Sequence, residues 1–167
     1  EFLCDIKMDG LACSLIYEDG MFVQAVTRGD SRVGEDVTMN IRTIENVPLA
    51  LRSTPKYSSL LIGRTEIRGE IVMYKNDFEA LNQLRAKSNL PLFKNPRNLA
   101  AGTIRQLDPK LVAERPLHFV GYDVLRDDPA EIATNSIGYD MMTMLGFTTS
   151  GQGEVQSRHP SDPLGEL

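Results

Sequence analysis

The chain of 167 residues is 41% hydrophobic and 25% charged, which is typical of a globular protein and excludes disorder throughout. No stretch approaches the roughly 18 uninterrupted apolar residues of a membrane-spanning helix, so we expect no membrane partner. The net charge of −5 is uneven: residues 1–122 hold 16 Lys/Arg against 15 Asp/Glu, whereas residues 123–167 hold 2 against 8. An anionic partner for the first part is therefore not excluded.

Short strands dominate the first part of the chain. Apolar and β-branched residues predict strands at 2–8, 11–18 and 21–27, and Glu18-Asp19-Gly20 is a strong hairpin turn. Because the chain opens inside a predicted strand and without Met, we expect a fragment of a longer protein. A helix is predicted over Val33–Ile44, with acidic residues near its start.

The second part mixes strands and helices. One long strand or two short ones are predicted over Leu60–Met73, and Asn76-Asp77 is expected to cap a helix from Phe78 to Lys87. Three prolines predict a loop-rich stretch over 91–109 with only short helical turns. A strand over Pro116–Val124 and a helix over Ala130–Leu145 follow, in which Met141, Met142 and Leu145 are expected in the core. We expect residues 1–125 to form the core of one domain, and 126–167 its last helix and a loose tail.

Cysteine and histidine give no pattern typical of a metal site. Cys4 and Cys13 lack metal-ligand spacing and are expected to be small buried side chains, which suits a reducing, cytoplasmic setting. His118 and His159 are isolated in the sequence and form no recognisable triad or metal cluster. We therefore expect no metal ligands among these side chains.

A short motif with one lysine lies where the first two predicted strands meet. Lys7-Met8-Asp9-Gly10-Leu11-Ala12 is, on its own, an ordinary exposed turn. Six further segments follow it in order along the chain. These are Thr27-Arg28-Gly29-Asp30, Gly34-Glu35-Asp36-Val37-Thr38, Glu66-Ile67-Arg68-Gly69-Glu70, Asn95-Pro96-Arg97-Asn98, Ala101-Gly102 and Arg105-Gln106-Leu107-Asp108-Pro109.

Together these segments resemble the adenylation domain of bacterial NAD-dependent DNA ligases, from about residue 3 to residue 125. The Asn95–Pro109 block is the most specific part, since ATP-dependent ligases and capping enzymes share the first motif but lack such a segment. The resemblance implies an α+β nucleotidyltransferase fold, as in DNA ligases and mRNA capping enzymes. Twisted antiparallel sheets would be flanked by helices, with the nucleotide in a cleft.

The same resemblance implies the chemistry. The amine of Lys7 would attack the α-phosphate of NAD, form a phosphoramidate with AMP and release nicotinamide mononucleotide. AMP would then pass to the 5′-phosphate of a nick in double-stranded DNA before sealing. The attack needs a neutral amine, which is scarce at pH 7 because free lysine has a pKa of about 10.4. Positive charge from Arg28 and Arg105 would favour it, and Mg²⁺ held through phosphate oxygens would add to that charge.

The resemblance also assigns the other candidate residues, each of which has a plainer alternative. Asp5, Asp9, Arg28, Glu70 and Tyr122 would bind the nucleotide: Arg28 the adenylate, Glu70 the ribose hydroxyl, and the Tyr122 ring the adenine. Without the family, Arg28 would be a surface ion-pair partner, Glu70 a solvent-facing strand residue and Tyr122 a core aromatic.

Two arginines of the later block are suited to phosphate. The resemblance implies that Arg97 and Arg105 contact the phosphates of the nick and the adenylate, and the planar guanidinium suits this role because it can bind phosphate with two hydrogen bonds. The alternative for Arg97 is a structural role in a proline-rich loop.

Two positions depart from the family pattern. Asp5 stands where the family usually has Glu, one methylene longer, and Ser31 stands where it usually has Gly. The family's later Asp-Gly-Val-Val-x-Lys strand does not occur in the 167 residues, so we expect an incomplete catalytic site. We expect a monomer. Two functions stay open: the adenylation domain of a DNA ligase, and a non-catalytic nucleotide-binding module of the same fold.

Overall fold

The computed structural model describes residues 5–29 and 33–150. Within these residues the strands form one antiparallel sheet of four strands in the order β2-β1-β3-β4. The two central strands carry most of the predicted site motifs. The strands are β1 (Leu11–Glu18), β2 (Met21–Thr27), β3 (Arg64–Val72) and β4 (His118–Arg126).

In the described part of the chain, five α-helices and two 3₁₀ helices accompany the sheet, so the α+β class predicted from the sequence is confirmed. Short 3₁₀ helices lie at Pro55–Leu61 and Pro129–Glu131. The α-helices are α1 (Thr38–Ile41), α2 (Lys75–Lys87), α3 (Pro96–Ile104), α4 (Pro109–Ala113) and α5 (Asn135–Leu145).

The hairpin between β1 and β2 forms where the sequence predicts it. Asp19 and Gly20 both have positive φ, at 47° and 76°, which matches the twist of a two-residue hairpin turn. The Asp19 carboxylate also accepts a hydrogen bond from the Gly63 backbone N–H at 2.8 Å. The turn is therefore fixed both by its own geometry and by the segment that leads into β3.

One face of the sheet forms the hydrophobic core. Leu15 and Tyr17 of β1 and Ile67 of β3 are fully buried on this face. Helix α3 contributes Ile104 and α5 contributes Met142, which are also fully buried. Burial of each such side chain stabilises the fold by about 1.5–3 kcal/mol, so the helices are held mainly by the apolar residues that they turn toward the sheet.

Three predicted elements in the first half differ from the structure. Residues 5–9 are irregular, so the strand predicted at 2–8 is wrong there, and its remainder lies outside the described residues. The helix predicted over Val33–Ile44 is reduced to the four residues of α1. The long strand predicted from Leu60 begins only at Arg64, because a 3₁₀ helix occupies the residues before it.

The loop predicted over residues 91–109 instead contains helix α3 and ends where helix α4 begins. Asn95 accepts a hydrogen bond from the Asn98 N–H at 2.7 Å, and Asp108 accepts one from the Lys110 N–H at 2.9 Å. Each cap is followed directly by Pro at the first helical position, where a missing N–H costs nothing. The prolines therefore start the helices. In α2, by contrast, the cap position is Tyr74 and not the predicted Asn76-Asp77.

The last helix is tied to the body of the domain by a charged cluster. The Asp140 carboxylate accepts hydrogen bonds from Lys56 Nζ at 2.6 Å and from the Tyr57 hydroxyl at 2.5 Å. The left-handed Gly146 ends α5, with φ 109°. Beyond it, Thr149 forms a parallel bridge with Gly121 of β4. The chain after α5 is thus attached to the sheet edge.

The close contact between β3 and β4 gives a stability prediction. A Cβ at Gly69 would lie 2.3 Å from Phe119 Cζ and 2.5 Å from the Val120 carbonyl oxygen, so Gly69→Ala forces these groups apart. We expect it to lower the free energy of unfolding by about 1–3 kcal/mol in urea denaturation. Gly102→Ala is the matched control, because among the described residues a Cβ at this position of α3 meets no atom within 4 Å outside the helix's own backbone. It should raise stability by about 0.5–1 kcal/mol, and equal effects at both sites would contradict the contact.

The cluster at Asp140 predicts a dependence of stability on pH. Hydrogen bonds from Lys56 and Tyr57 lower the pKa of Asp140, and the Asp140 hydrogen bond raises the pKa of Lys56. A lowered carboxylate pKa stabilises the fold above the unfolded value of about 3.9 and loses that effect as pH falls through the folded value. Thermal melts should therefore show Asp140→Asn to be less stable than wild type at neutral pH, with the difference shrinking below about pH 4. A difference that stays constant with pH would exclude the ionised pair as its source.

Candidate functional site

The segment that carries Lys7 runs across the end of β3. The Gly10 backbone N–H donates to Glu70 Oε1 at 3.2 Å, and a Cβ at Gly10 would lie 2.2 Å from the Ile71 carbonyl oxygen. Only glycine permits this approach. Lys7 itself is exposed, three residues before this contact. The position of the lysine segment is therefore set by the sheet, although residues 5–9 form no regular element.

Glu70 lies half-buried between the Lys7 segment and β4. Burial raises the pKa of its carboxyl group, and the Gly10 N–H acts in the opposite direction. The positive charges of Arg97 and Lys7 also oppose the increase, which places both cations in the electrostatic field of this carboxylate. The Lys7–Gly10 segment and Arg97 therefore both lie near the Glu70 carboxylate.

Tyr122 reaches the cleft because β4 is irregular at this point. The pairing with β3 passes from Gly121 opposite Gly69 to Asp123 opposite Arg68, so Tyr122 is an extra residue in the ladder. Such a bulge redirects a side chain. The pKa of Tyr122 is raised by burial first and by the Glu70 charge second, so its ring carries a neutral hydroxyl at neutral pH. Tyr122 is therefore not a core residue, although an aromatic residue in a strand would be expected in the core by default.

The arginines reach the same region from different elements. Arg28 follows β2, where its backbone N–H donates to the Ala12 carbonyl at 3.0 Å. Arg97 in the first turn of α3 pairs with Asp9 through Nη1 and Oδ1 at 3.0 Å. Arg97 therefore contacts the Lys7 motif directly, through Asp9, as well as lying in the proline-rich segment.

Arg105, at the end of α3, pairs with Glu35 through Nε and Oε2 at 2.7 Å. Both side chains are about half exposed, so the pair itself contributes little to stability. It holds the guanidinium at the edge of the cleft, where a phosphate could replace the carboxylate.

These groups surround one cleft of about 680 Å³, within the size range of small-molecule sites. All the predicted site residues except Asp9 line it, and Asp9 adjoins it through Arg97. The lining includes Asp5, Lys7, Gly10, Arg28, Glu70, Arg97, Arg105 and Tyr122.

Four residues of the site were not predicted from the sequence. Tyr139 and Ser150 lie in the cleft beside Asp5, and Asn135 lines it at the start of α5. Glu35, the partner of Arg105, was noted only as part of a motif. No local signal distinguishes Tyr139, because at helical spacing it resembles any side chain of an amphipathic helix.

The described cysteine and histidine side chains, Cys13 and His118, lie outside the cleft. Cys13 is buried as predicted, and burial raises the pKa of its thiol to about 12, which makes it unreactive near neutral pH. The His118 ring stacks on Tyr74 at 4.3 Å between centroids, and its Nε2 lies 3.3 Å from the Asp77 carboxylate. Cys4 and His159 lie outside the described residues.

Two further properties hold for residues 5–29 and 33–150. No three His, Cys, Asp or Glu side chains are grouped so that they could hold a metal ion. None of the helices is both long and apolar enough to cross a membrane.

Comparisons with known proteins identify a family for the chain. The family model described as the NAD-dependent DNA ligase adenylation domain matches residues 1–160. A DNA ligase of Bdellovibrio bacteriovorus is 52% identical over 122 residues, which cover 73% of this chain and 17% of that protein. DNA ligases of Koribacter versatilis and Psychrobacter cryohalolentis are 42% and 45% identical over 93% and 94% of this chain, and 23% and 22% of their own lengths.

The chain thus spans about a fifth of the length of these relatives. The family match covers nearly all of its residues, including every residue of the cleft described above. The chain belongs to the NAD-dependent DNA ligase adenylation domain family.

Proposed function

We propose that the cleft binds the adenylate half of NAD and that Lys7 is the residue that becomes adenylated. The observation that carries the proposal is the convergence of Lys7, Glu70, Arg97 and Arg105 on a single cleft from three separate segments, the Lys7 segment, β3 and α3. We also propose that the domain has the nucleotidyltransferase fold, with residues 1–125 as its core and 126–167 as its final part.

The residues present suit the parts of this nucleotide. The Tyr122 ring offers a stacking surface for adenine, and the Glu70 carboxylate can accept a hydrogen bond from a ribose hydroxyl. Arg28, Arg97 and Arg105 can neutralise phosphate charge. The base, the sugar and the phosphates of NAD therefore each have a complementary group in the cleft.

The chemical step would be nucleophilic. The nitrogen of the Lys7 amine forms a bond to the α-phosphorus, the bond from that phosphorus to the bridging oxygen breaks, and nicotinamide mononucleotide leaves with the electron pair. The attacking amine is neutral, and the proton that its nitrogen loses passes to solvent, to which Lys7 is exposed. The arginines would stabilise the negative charge that grows on the phosphate oxygens. Mg²⁺, which proteins commonly bind through substrate phosphates and few side chains, would add positive charge at the same oxygens.

In the whole protein, the adenylated lysine would pass AMP to the 5′-phosphate of nicked double-stranded DNA, and a phosphodiester bond would then be sealed. We propose a monomeric, cytoplasmic ligase that acts in DNA replication and repair. This proposal rests on the family and on the DNA ligases to which the chain is similar.

The identity of the nucleophile can be tested by intact mass spectrometry. After incubation of the full-length protein with NAD and Mg²⁺, we expect an added AMP on wild type, and none on Lys7→Ala because the attacking amine is removed. Lys56→Ala is the control, since Lys56 lies outside the cleft and pairs with Asp140. An adduct that persists in Lys7→Ala would contradict the assignment. Nucleotide binding without any adduct on the full-length wild-type protein would support the non-catalytic module.

The phosphate role of Arg105 can be tested separately from chemistry. Loss of one charged hydrogen bond to phosphate should weaken AMP binding in Arg105→Ala by about tenfold or more, as measured by isothermal titration calorimetry. Arg85→Ala removes an arginine that stacks on Phe93 outside the cleft and should leave AMP affinity within about twofold. Equal losses in both variants would indicate a general effect of charge.

A further inference from the structure

The Asp5 carboxylate is held by two hydroxyl groups from distant parts of the chain. Its Oδ2 atom accepts a hydrogen bond from the Tyr139 hydroxyl and another from Ser150 Oγ at 3.0 Å. The two hydroxyl oxygens lie 3.2 Å apart, so all three groups form one network. The second oxygen, Oδ1, accepts the Ile6 backbone N–H at 2.7 Å. Asp5 is thus held in place by three donors even though it is exposed.

The helix that supplies the Tyr139 hydroxyl is anchored at both ends. Thr134 caps the N-terminus of α5 by accepting the Ile137 N–H at 3.3 Å, and the left-handed Gly146 ends it. The Tyr139 side chain is partly buried against the core. The position of the phenol is therefore set by core packing, and a donor on a rigid helix can fix a carboxylate that lies on an irregular segment.

The Tyr139 hydroxyl acts as a donor over the whole neutral range. Burial first, and then the hydrogen bond to Asp5, raise its pKa to about 12, so the phenol keeps its proton. A carboxylate offers about four lone-pair positions, and the residues that the structure describes fill three of those of Asp5. The remaining acceptor can receive a hydrogen bond from an N–H of a molecule in the cleft. A carbonyl oxygen at the same place would be repelled.

We propose that Tyr139 is a positioning residue that fixes the Asp5 carboxylate so that the cleft prefers nucleotides whose base presents an amino group. This inference rests on the proposed function only in taking the cleft as a nucleotide site. It concerns selection of the base, whereas adenylation of Lys7 concerns the phosphate. The shorter Asp5 brings the carboxylate nearer the backbone than Glu would, and α5 supplies the donor that meets it there.

The test compares AMP with inosine monophosphate, which has a carbonyl oxygen in place of the exocyclic amine. Dissociation constants are measured by isothermal titration calorimetry for wild type and Tyr139→Phe. Wild type should prefer AMP. Loss of the hydroxyl should weaken AMP binding by about 5–10-fold and leave inosine monophosphate within about twofold, so that the preference is largely lost.

Tyr57→Phe is the matched control. It deletes the other tyrosine hydroxyl that holds α5, the one bonded to Asp140, and this group lies outside the cleft. If Tyr139 acted only by anchoring the helix, both variants would change nucleotide binding alike. We expect Tyr57→Phe to change stability while leaving both dissociation constants, and hence the preference, as in wild type.

A double-mutant cycle with Asp5→Ala tests whether Tyr139 acts through Asp5. In that background Tyr139→Phe should have no further effect on AMP affinity. The inference is overturned if the effect persists there, if both nucleotides weaken equally, or if AMP does not bind at all. A base preference that depends on Tyr139 without any adduct on Lys7 would refute the proposed catalysis alone. An adduct without that preference would refute this inference alone.

Discussion

The passage of the lysine segment across the end of β3 is the contact on which the rest of the site depends. It requires the absence of a side chain at Gly10, because the Ile71 carbonyl occupies the space of a Cβ. The hydrogen bond from Gly10 to Glu70 then fixes the segment relative to the sheet. With this contact in place, an exposed lysine on irregular backbone gains a defined position beside a half-buried carboxylate.

Charge in the cleft is nearly balanced within the protein itself. Arg97 pairs with Asp9 and Arg105 pairs with Glu35, so two of the cations have internal carboxylate partners. All four side chains remain substantially exposed, and exchange of a carboxylate for a phosphate therefore costs little desolvation. The arrangement keeps the guanidinium groups at the cleft without a large penalty for binding an anion.

The two sides of the cleft are built differently. The sheet supplies Glu70 and, through the bulge in β4, Tyr122. Helix α5 and the residues after it supply Tyr139 and Ser150, and their position depends on the bridge between Thr149 and Gly121. The same strand thus orients groups on both sides, and the packing of α5 against β4 controls the distance between them.

The amino-acid sequence by itself determined the local features: the Asp19-Gly20 turn, most of α2 and β4, and the motifs whose residues meet in the cleft. These follow from periodicity and turn chemistry, which act between neighbours in the chain. The order of the motifs also indicated the family, and hence which side chains belong to one site.

Only the tertiary structure decided the rest. The prolines at 96 and 109 start helices because capping side chains precede them, the bulge turns Tyr122 into the cleft, and Tyr139 reaches Asp5 across 134 positions of sequence. Such contacts arise when apolar faces pack against the sheet and bring distant segments together. Their geometry depends on the shapes of both partners, and no local pattern in either segment records it.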